Sequence, residues 1–225
     1  ESIKIQQALG ADIILAFDEC PPPNADYDYT KYSLERTHRW AVKSLRARTS
    51  KQALYGIVQG GHFKDLREIS SKYIGSLPFD GFALGGEFGA DKKSMDTMIR
   101  WSISHLPENK PRHLLGIGHP EDILRIIKQG ADTFDCIAPT HYARRGMIFT
   151  SRGRLDISKS KFLTDKNPLD RACRCSTCLN YRRNYLCHLI RAKELTAYQL
   201  LSIHNLHYFN KIVAGIRADI RKGKV

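Results

Sequence analysis

Five short apolar segments, separated by helical patterns, are the feature that most limits what this chain can fold into. The segments cover residues 12–17, 53–58, 81–84, 112–117 and 133–138. Neighbouring segments lie roughly 20 to 40 residues apart without hairpin turns between them, a spacing that suits crossover helices. The pattern predicts a parallel sheet built from βα units, with the run at residues 12–17 buried on both faces.

Helical periodicity fills the stretches between the apolar segments. The predicted helices cover residues 3–9, 29–48, 62–74, 92–106 and 120–129. Gly10 ends the first helix. Pro120 stands in the first turn of the fifth helix, where the backbone N–H groups have no partner within the helix and proline is therefore tolerated. An α/β fold class follows from this alternation.

Polar or glycine residues recur at the C-terminal end of each predicted strand, which favours a (β/α) barrel because the active site of that fold lies at this rim. They are Asp18, Gln59, Gly85-Gly86, residues 116–118 and Asp135. An open doubly wound sheet is the competing architecture, but no Gly-x-Gly-x-x-Gly motif follows the first strand. Five units cannot close an eight-stranded barrel, and Glu1 starts inside a helical pattern without an initiator Met. We therefore expect the C-terminal five βα units of a (β/α)8 TIM barrel, truncated at the N-terminus.

The sequence pattern changes after residue 145, and a second domain is expected there. Residues 147–150 and 154–157 flank Arg152-Gly153 and predict a hairpin. Helical patterns follow at residues 179–193 and 196–222. The predicted domains are residues 1–145, part of the barrel, and residues 146–225, a smaller subdomain closed by C-terminal helices.

The net charge of +13 lies entirely in the C-terminal third of the chain. Residues 1–140 carry 18 Lys and Arg against 18 Asp and Glu, whereas residues 141–225 carry 18 against 5. A neutral body joined to a strongly basic segment indicates a polyanionic partner, most often nucleic acid. No apolar run approaches the roughly 20 residues that span a bilayer, and no secretory signal is visible. We expect a cytoplasmic protein without a membrane partner.

A cluster of three cysteines is the most specific local motif. Cys173, Cys175 and Cys178 fall within six residues, too close to pair with one another without strain. Three thiolates on a tight loop suit three corners of the tetrahedral site that Zn²⁺ prefers, and a fourth protein ligand would make the site structural. The candidates for that fourth ligand are Cys187, His188, His204 and His207.

Two carboxylates at strand ends suggest glycosidic chemistry. Asp18 and Asp135 could act together, one attacking or stabilising an anomeric carbon and the other handling protons or positioning a base. Gln59 suits the edge of a purine, and Gly85-Gly86 would let a flat ligand approach backbone N–H groups. The basic segment with His141, Arg144 and Arg145 follows Asp135 directly and suits an anionic substrate.

These residues resemble the tRNA-guanine transglycosylase family, which exchanges guanine in tRNA for a 7-deazaguanine. The matching segments are AFDEC at residues 16–20, YGIVQG at 55–60, Gly85-Gly86, HLLGIG at 113–118, Phe134-Asp135-Cys136 with Pro139-Thr140, the cysteine cluster, and His204-Asn205. They occur in family order across nearly the whole chain. The resemblance implies a (β/α)8 barrel with an inserted zinc subdomain, a glycosyltransferase (pentosyltransferase) activity, and a homodimer formed partly through the zinc subdomain.

The resemblance also implies roles for individual residues. Asp135 corresponds to the nucleophile that forms a covalent Asp–ribose intermediate, and Asp18 to the reader of the base. Gln59 and the Gly86 N–H would bind the carbonyl oxygen of the base. The remaining base-site residues are Cys20, Gly85, Leu115 and Gly116, and the implied zinc ligands are Cys173, Cys175, Cys178 and His204. The implied partner is tRNA with a U-G-U anticodon, whose guanine is flipped out.

Three departures from the family pattern bear on function. The N-terminal segment Asp-Ser-Gly-Gly-Phe-Gln, which supplies a second catalytic aspartate, is absent from this sequence. Glu87 and Gly89 occupy a segment that differs from the usual one, and Gly89 would make room for queuine in preference to its smaller 7-aminomethyl precursor. His141 replaces one arginine of the usual Thr-Arg-x-x-Arg motif, while Arg144 remains and Arg145 is added.

Two other functions fit parts of the pattern. A non-catalytic tRNA-binding partner subunit of a transglycosylase heterodimer would be expected to lose the nucleophile, whereas this chain keeps Asp135 and Asp18. An archaeosine-type enzyme would carry extra C-terminal RNA-binding domains, and the sequence shows none. The enzyme is therefore the favoured hypothesis.

Overall fold

The computed structural model describes residues 1–86, 88 and 91–225, which form two compact units. Unit 1 comprises residues 1–117 and 124–135, and unit 2 comprises residues 118–123 and 136–225. The domain division between residues 145 and 146 stays a prediction. The predictions for Glu87 and Gly89 fall outside the described residues.

Unit 1 is built on a five-stranded parallel sheet whose strands follow one another in sequence order. The strands are β1 (Ile13–Leu15), β2 (Ala53–Val58), β3 (Gly81–Leu84), β4 (Arg112–Leu114) and β5 (Thr133–Phe134). The helices before and between them are α1 (Ser2–Leu9), α2 (Tyr27–Ala47), α3 (Lys64–Gly75), α4 (Lys92–Ile103) and α5 (Ile123–Lys128). The sheet curls into half a barrel, which confirms the α/β class and a partial TIM barrel.

The core of unit 1 lies around β2 and β3, which are buried on both faces. Leu54, Val58, Phe82 and Leu84 are inaccessible to solvent, and helix α4 packs Ile99 against them. Near-continuous apolar strands of this kind are what a parallel sheet covered by helices requires.

β1 does not fit the expectation of burial on both faces. Ile13 is 48% exposed and Phe17, just beyond the strand, is 52% exposed. β1 pairs only with β2 and forms the edge of the five-stranded sheet, so one side of it lacks a neighbouring strand. Phe17 packs instead on Trp40 of α2, with ring centroids 4.9 Å apart.

Two predicted strands end three or four residues early. β4 stops at Leu114 and β5 at Phe134, whereas the sequence predicted strands to residues 117 and 138. Residues 138–144 form helix α6 (Ala138–Arg144), and Pro139 lies in its first turn, where the ring fixes a helical φ and no N–H is needed. Helix α5 begins at Ile123 instead of residue 120, because His119 carbonyl oxygen accepts bonds from the N–H groups of Asp122 and Ile123 in a preceding turn.

Unit 2 combines a hairpin with helices. Its elements after α6 are β6 (Met147–Thr150), β7 (Gly153–Asp156), a 3₁₀ turn at Ser160–Phe162, α7 (Ser176–Asn180), α8 (Arg183–Arg191) and α9 (Leu195–Arg221). The predicted hairpin is confirmed, with Met147 opposite Asp156 and Thr150 opposite Gly153. Ile148, Ile157, Leu186 and Leu201 form part of a second, separate core.

The single helix predicted over residues 179–193 is wrong. Tyr181 and Arg182 have extended backbones between α7 and α8. The N–H groups of Arg183 and Asn184 bond to the carbonyl oxygens of Asn167 and Asp165, at 2.9 Å and 2.8 Å. These long-range bonds provide acceptors for two N–H groups in the first turn of α8, so α8 begins as a separate helix after the extended residues.

None of the helices in the described part of the chain is both long and apolar enough to cross a membrane.

Candidate functional site

The first group of predicted site residues gathers where β1, β2 and β3 end. Gln59 follows β2, is 1% exposed, and donates a hydrogen bond from Nε2 to Oδ2 of Asp18 over 2.7 Å. Burial raises the pKa of the Asp18 carboxyl, and the bond from Gln59 opposes that shift. The other amide atom, Gln59 Oε1, is buried and has no hydrogen-bond partner among the described residues. Gln59 Oε1 is therefore an acceptor that is available to a hydrogen-bond donor of a ligand.

Gly85 and Gly86 are required for the backbone to lie against Gln59. A Cβ atom on Gly85 would stand 2.5 Å from Gln59 Nε2, and one on Gly86 would stand 2.8 Å from Gln59 Oε1. Gly86 also has φ +89°, a conformation that other residues rarely adopt. Backbone atoms of the glycine pair thus line the site at close range.

Cys20 belongs to the same group. Burial raises the pKa of its thiol, and the charge of Asp18 adds to that effect. Hydrogen bonding to the Gln59 side chain and to the Gly86 backbone lowers the same pKa. The structure therefore brings together Asp18, Cys20, Gln59, Gly85 and Gly86 as the sequence predicted, although their roles stay proposals.

Arg67 supports this group and was not predicted. It is buried in α3, donates from Nε to Gly61 oxygen over 2.6 Å, and donates from Nη1 to Gly85 oxygen over 3.0 Å. Burial lowers the pKa of its guanidinium to about 10. A signal was present in the sequence, since Arg67 shares the buried helical face of Leu66, Ser70, Ser71 and Ile74.

The second group surrounds Asp135, directly after β5. Its Oδ1 atom accepts hydrogen bonds from the Gly116 backbone N–H at 3.0 Å and from His113 Nε2 at 3.2 Å. The Asp135 side chain is nevertheless 59% exposed. Gly116 has φ +73°, which a residue with a Cβ would adopt only with strain, and this turn aims its N–H at the carboxylate.

Leu115 and His113 complete the second group. Leu115 donates its backbone N–H to Leu84 oxygen over 3.1 Å, which ties the segment after β4 to β3. His113 contacts the Asp135 carboxylate, a role that the sequence analysis did not assign to it. The available signal was its place in the predicted fourth strand, where it pairs with Thr133 two residues before Asp135.

The predicted tRNA-binding residues lie on and after α6 in unit 2. Arg144 and Arg145 are exposed, and the ring of His141 meets that of Tyr142 at 5.9 Å in an edge-on contact. Exposed arginines at the start of the basic third are available to an anionic partner.

Four buried side chains in unit 2 form a cluster that could hold a metal ion. The sulfurs of Cys173, Cys175 and Cys178 and a nitrogen of His204 all lie within 4.8 Å of one another. Nδ1 of His204 is 3.5 Å from the Cys175 sulfur and 3.3 Å from the Cys178 sulfur. Three thiols and one imidazole are a donor set that suits a closed tetrahedral site.

A second layer of hydrogen bonds orients the histidine. His204 Nε2 bonds to the Phe149 carbonyl at 2.8 Å, which leaves Nδ1 facing the sulfurs. The neighbouring Asn205 accepts from the Phe149 N–H and donates to the carbonyl oxygens of Pro139 and Met147. Through these bonds His204 and Asn205 fix α9 against the β6–β7 hairpin and hold the His204 ring at the cluster.

The other candidates for the fourth ligand lie elsewhere. The Cys187 sulfur is buried against the Lys159 carbonyl at 3.5 Å, and His188 and His207 are exposed. Burial raises the pKa of the Cys173 and Cys178 thiols, with the charges of neighbouring cysteines adding to the shift. A bound cation would reverse that effect, because coordinated thiols are deprotonated.

Comparison with known proteins gives a consistent result. A family sequence profile described as "Queuine tRNA-ribosyltransferase" matches residues 1–225. A protein of that name from Staphylococcus epidermidis (strain ATCC 35984) is 46% identical over 228 aligned residues, which cover 100% of this chain and 60% of the relative. Proteins of the same name from Staphylococcus haemolyticus (strain JCSC1435) and Staphylococcus aureus (strain JH9) are 46% and 47% identical with the same coverage. The chain therefore spans 60% of the length of these relatives.

Proposed function

We propose that this chain, which belongs to the queuine tRNA-ribosyltransferase family, carries the nucleophile and base-binding residues of a tRNA-guanine transglycosylase. The observation that carries the proposal is the geometry of Asp135. Two donors hold its Oδ1 atom, while Oδ2 accepts no hydrogen bond from the described residues. An exposed carboxylate with one oxygen fixed and the other available suits attack on a carbon centre.

In the proposed reaction Asp135 Oδ2 attacks C1′ of the flipped guanosine ribose. The Oδ2–C1′ bond forms as the bond from C1′ to N9 of guanine breaks, and guanine leaves with the electron pair. The guanine anion takes up a proton from solvent. A 7-deazaguanine then attacks the same carbon through N9, gives up its N9 proton to solvent, and expels the Asp135 carboxylate. The bonds broken and formed balance, so no nucleotide cofactor is required.

The Asp18 group is proposed to hold the base. Guanine presents N–H donors on one edge, which suit the Asp18 carboxylate, and a carbonyl oxygen, which suits the Gln59 amide and the Gly86 N–H. In the structure Gln59 Nε2 donates to Asp18 Oδ2, so this donor and this carboxylate oxygen are paired with each other until a base with complementary edges replaces the bond. Cys20, Gly85, Leu115 and Gly116 are proposed to line the same pocket.

The partner in this proposal is tRNA with a U-G-U anticodon. The support is the concentration of all 13 net positive charges in residues 141–225 and the exposure of Arg144 and Arg145, with His141 beside them. Phosphate contacts from such residues would position the RNA without reading its sequence. We further propose a homodimer and a cytoplasmic setting, the latter because all six cysteines are free thiols.

Zn²⁺ is the metal proposed for the cluster of Cys173, Cys175, Cys178 and His204. The four buried donors match its preferred ligand types and number. With four protein ligands the ion would have no open position, so its role is to hold the loop of the cluster against α9.

Substitution of the nucleophile tests the proposed function. Asp135→Asn in the complete protein is expected to lower guanine exchange by at least about a thousand-fold, because an amide cannot form the ester. Binding of tRNA should persist. Asp28→Asn, at an exposed position in α2, is the matched control and should exchange guanine normally. Normal exchange by Asp135→Asn would remove the nucleophile assignment, and no exchange by the wild-type protein would favour the non-catalytic partner subunit.

The identity of the incoming base is a separate proposal. We propose queuine, because the sequence has a carboxylate residue at position 87 and glycine at position 89, in the segment where it departs from the usual family pattern. Catalytic efficiency with queuine should exceed that with the 7-aminomethyl base by about ten-fold or more, the effect of a well-placed polar or steric contact. A preference for the 7-aminomethyl base would contradict this assignment.

A further inference from the structure

We propose that His113 is the positioning residue of the Asp135 carboxylate, an inference that rests on the proposed function and extends it. His113 holds Asp135 Oδ1 through Nε2 and is itself held by Thr133 through Nδ1, so that Oδ2 is presented to the ribose.

The register of β4 and β5 places the three side chains on one face. His113 lies directly opposite Thr133 in the parallel pair. Asp135 follows Thr133 by two residues, and side chains two apart in an extended chain point to the same side. The imidazole of His113 therefore lies between the Thr133 hydroxyl, 2.9 Å from Nδ1, and the Asp135 carboxylate, 3.2 Å from Nε2.

The chemistry of the two partners fixes the tautomer of His113. An ionised carboxylate can only accept hydrogen bonds, so Nε2 must carry the proton. In the neutral ring Nδ1 is then an acceptor, and the Thr133 hydroxyl donates to it. The chain of donors runs from Thr133 through His113 to Asp135, with each hydrogen bond oriented towards the carboxylate.

The orientation of the Asp135 carboxylate needs support because its short side chain is exposed to solvent. With 59% of its side chain exposed, packing alone does not select one carboxylate orientation. Gly116 contacts the same oxygen from one side, and His113 supplies the second point that prevents rotation about the bond to the carboxylate. Attack on carbon needs that orientation, since a misplacement of about 1 Å can cost about a hundred-fold in rate.

The second half of the reaction uses the same contact. As the incoming base attacks C1′, negative charge returns to the Asp135 carboxylate, and the His113 and Gly116 donors stabilise it at Oδ1. Loss of the His113 donor should therefore slow both formation and release of the covalent intermediate, while leaving tRNA binding intact.

Two amide substitutions separate the contacts of His113. The terminal amide of Gln lies at about the depth of Nε2, so His113→Gln can still donate to Asp135. The amide of Asn lies at about the depth of Nδ1, so His113→Asn can reach Thr133 but not Asp135. His113→Phe keeps the ring and loses both bonds.

The experiment measures guanine exchange into tRNA by the complete protein carrying each substitution. His113→Asn and His113→Phe are expected to lower kcat by about 10- to 100-fold with KM for tRNA unchanged, the usual cost of losing a group that orients a reactive residue. His113→Gln should retain activity within a few-fold of wild type. His105→Gln, on an exposed histidine of unit 1, is the control and should match wild type.

The outcomes distinguish the inference from the proposed function. Equal losses in Gln, Asn and Phe variants that melt at the wild-type temperature would overturn the positioning role, as would wild-type rates in all three. If a variant melts early, its kcat is measured at a temperature where circular dichroism shows it folded. If Asp135→Asn abolishes the exchange that wild type shows and His113→Phe leaves it unchanged, only the role of His113 is refuted. A wild-type protein without exchange would refute the proposed function itself.

Discussion

The metal-binding cluster of unit 2 and the Asp135 site of unit 1 are built on opposite principles. Three of the four cluster ligands lie within six residues, and all four are buried. Asp135 is mostly exposed, and its contacts with His113 and Gly116 come from 22 and 19 residues away. The cluster depends on a short sequence motif, whereas the Asp135 site depends on the register of two strands and one glycine turn.

This difference indicates what each region contributes. Buried ligands that hold a metal stabilise the folded state directly, because the metal binds the assembled site and not the unfolded chain. Exposed carboxylates contribute little to packing and can be substituted with little structural cost. Substitutions in the cluster should therefore change stability first, and substitutions at the strand ends should change activity first.

The largest effect is expected from removing a cluster ligand. His204→Ala should lower bound zinc to well under one ion per chain and destabilise the protein by about 3–5 kcal/mol, because it removes a ligand and leaves the Phe149 carbonyl without its partner. Metal content by atomic emission and the midpoint of thermal unfolding measure the two effects. Unchanged zinc would point to another fourth ligand.

Cys187→Ala is the matched control for that experiment. Its thiol is also buried in unit 2 but contacts Lys159 oxygen outside the cluster. We expect a loss of about 1 kcal/mol from the small cavity and no change in zinc content. A fall in zinc content in this variant would weaken the comparison, since it would show that the cluster responds to any disturbance of the surrounding core.

The sequence predicted the parts of the fold whose signals are local. The parallel strands followed from apolar runs such as residues 53–58, and the metal cluster followed from cysteine spacing. The exposure of Ile13 was missed because burial of an edge strand depends on which neighbour it has, and the sequence of the strand does not state this. The break at Tyr181–Arg182 was missed because it is held by bonds to residues 165–167, which no helical periodicity can reveal.

The sequence predicted which residues form the strand-end site more completely than it predicted the contacts between them. Asp18, Gln59 and the glycine pair were named because each follows a strand, and the structure brings them together. The contact of His113 with Asp135 was missed because it depends on the register between two strands that are 20 residues apart. Arg67 was missed because a charged residue on a buried helical face is ordinarily assigned to solvent.

A second prediction tests whether the strand-end site depends on backbone placement. Gly85→Ala should destabilise the protein by about 2–3 kcal/mol, because its Cβ would clash with the buried Gln59 amide. Gly116→Ala should cost about 1 kcal/mol, because φ is strained there but no atom lies within 4 Å of the added Cβ. Urea unfolding measures both values. Equal costs would show that the Gln59 side chain gives way to the added Cβ, so that close contact with Gln59 does not require glycine at position 85.

The smallest effect in stability is expected at Asp18, and it should be favourable. Burial raises the pKa of the folded-state carboxyl above its unfolded value of 3.8. The wild-type carboxyl therefore contributes stability below that value and loses it as the pH rises through the folded-state pKa. Asp18→Asn does not titrate and can still accept the bond from Gln59. The variant should unfold with a higher free energy than wild type at about pH 7, with the difference shrinking towards about pH 4.

This last experiment sharpens the comparison because stability and activity should move in opposite directions. Asp18→Asn should abolish binding of the 7-deazaguanine base, since an amide presents a donor where the proposed base needs an acceptor, while urea unfolding shows a more stable protein. Such a trade-off is typical of residues retained for function. A variant that is less stable than wild type at both pH values would instead place Asp18 with the cluster ligands, as a residue on which the fold depends.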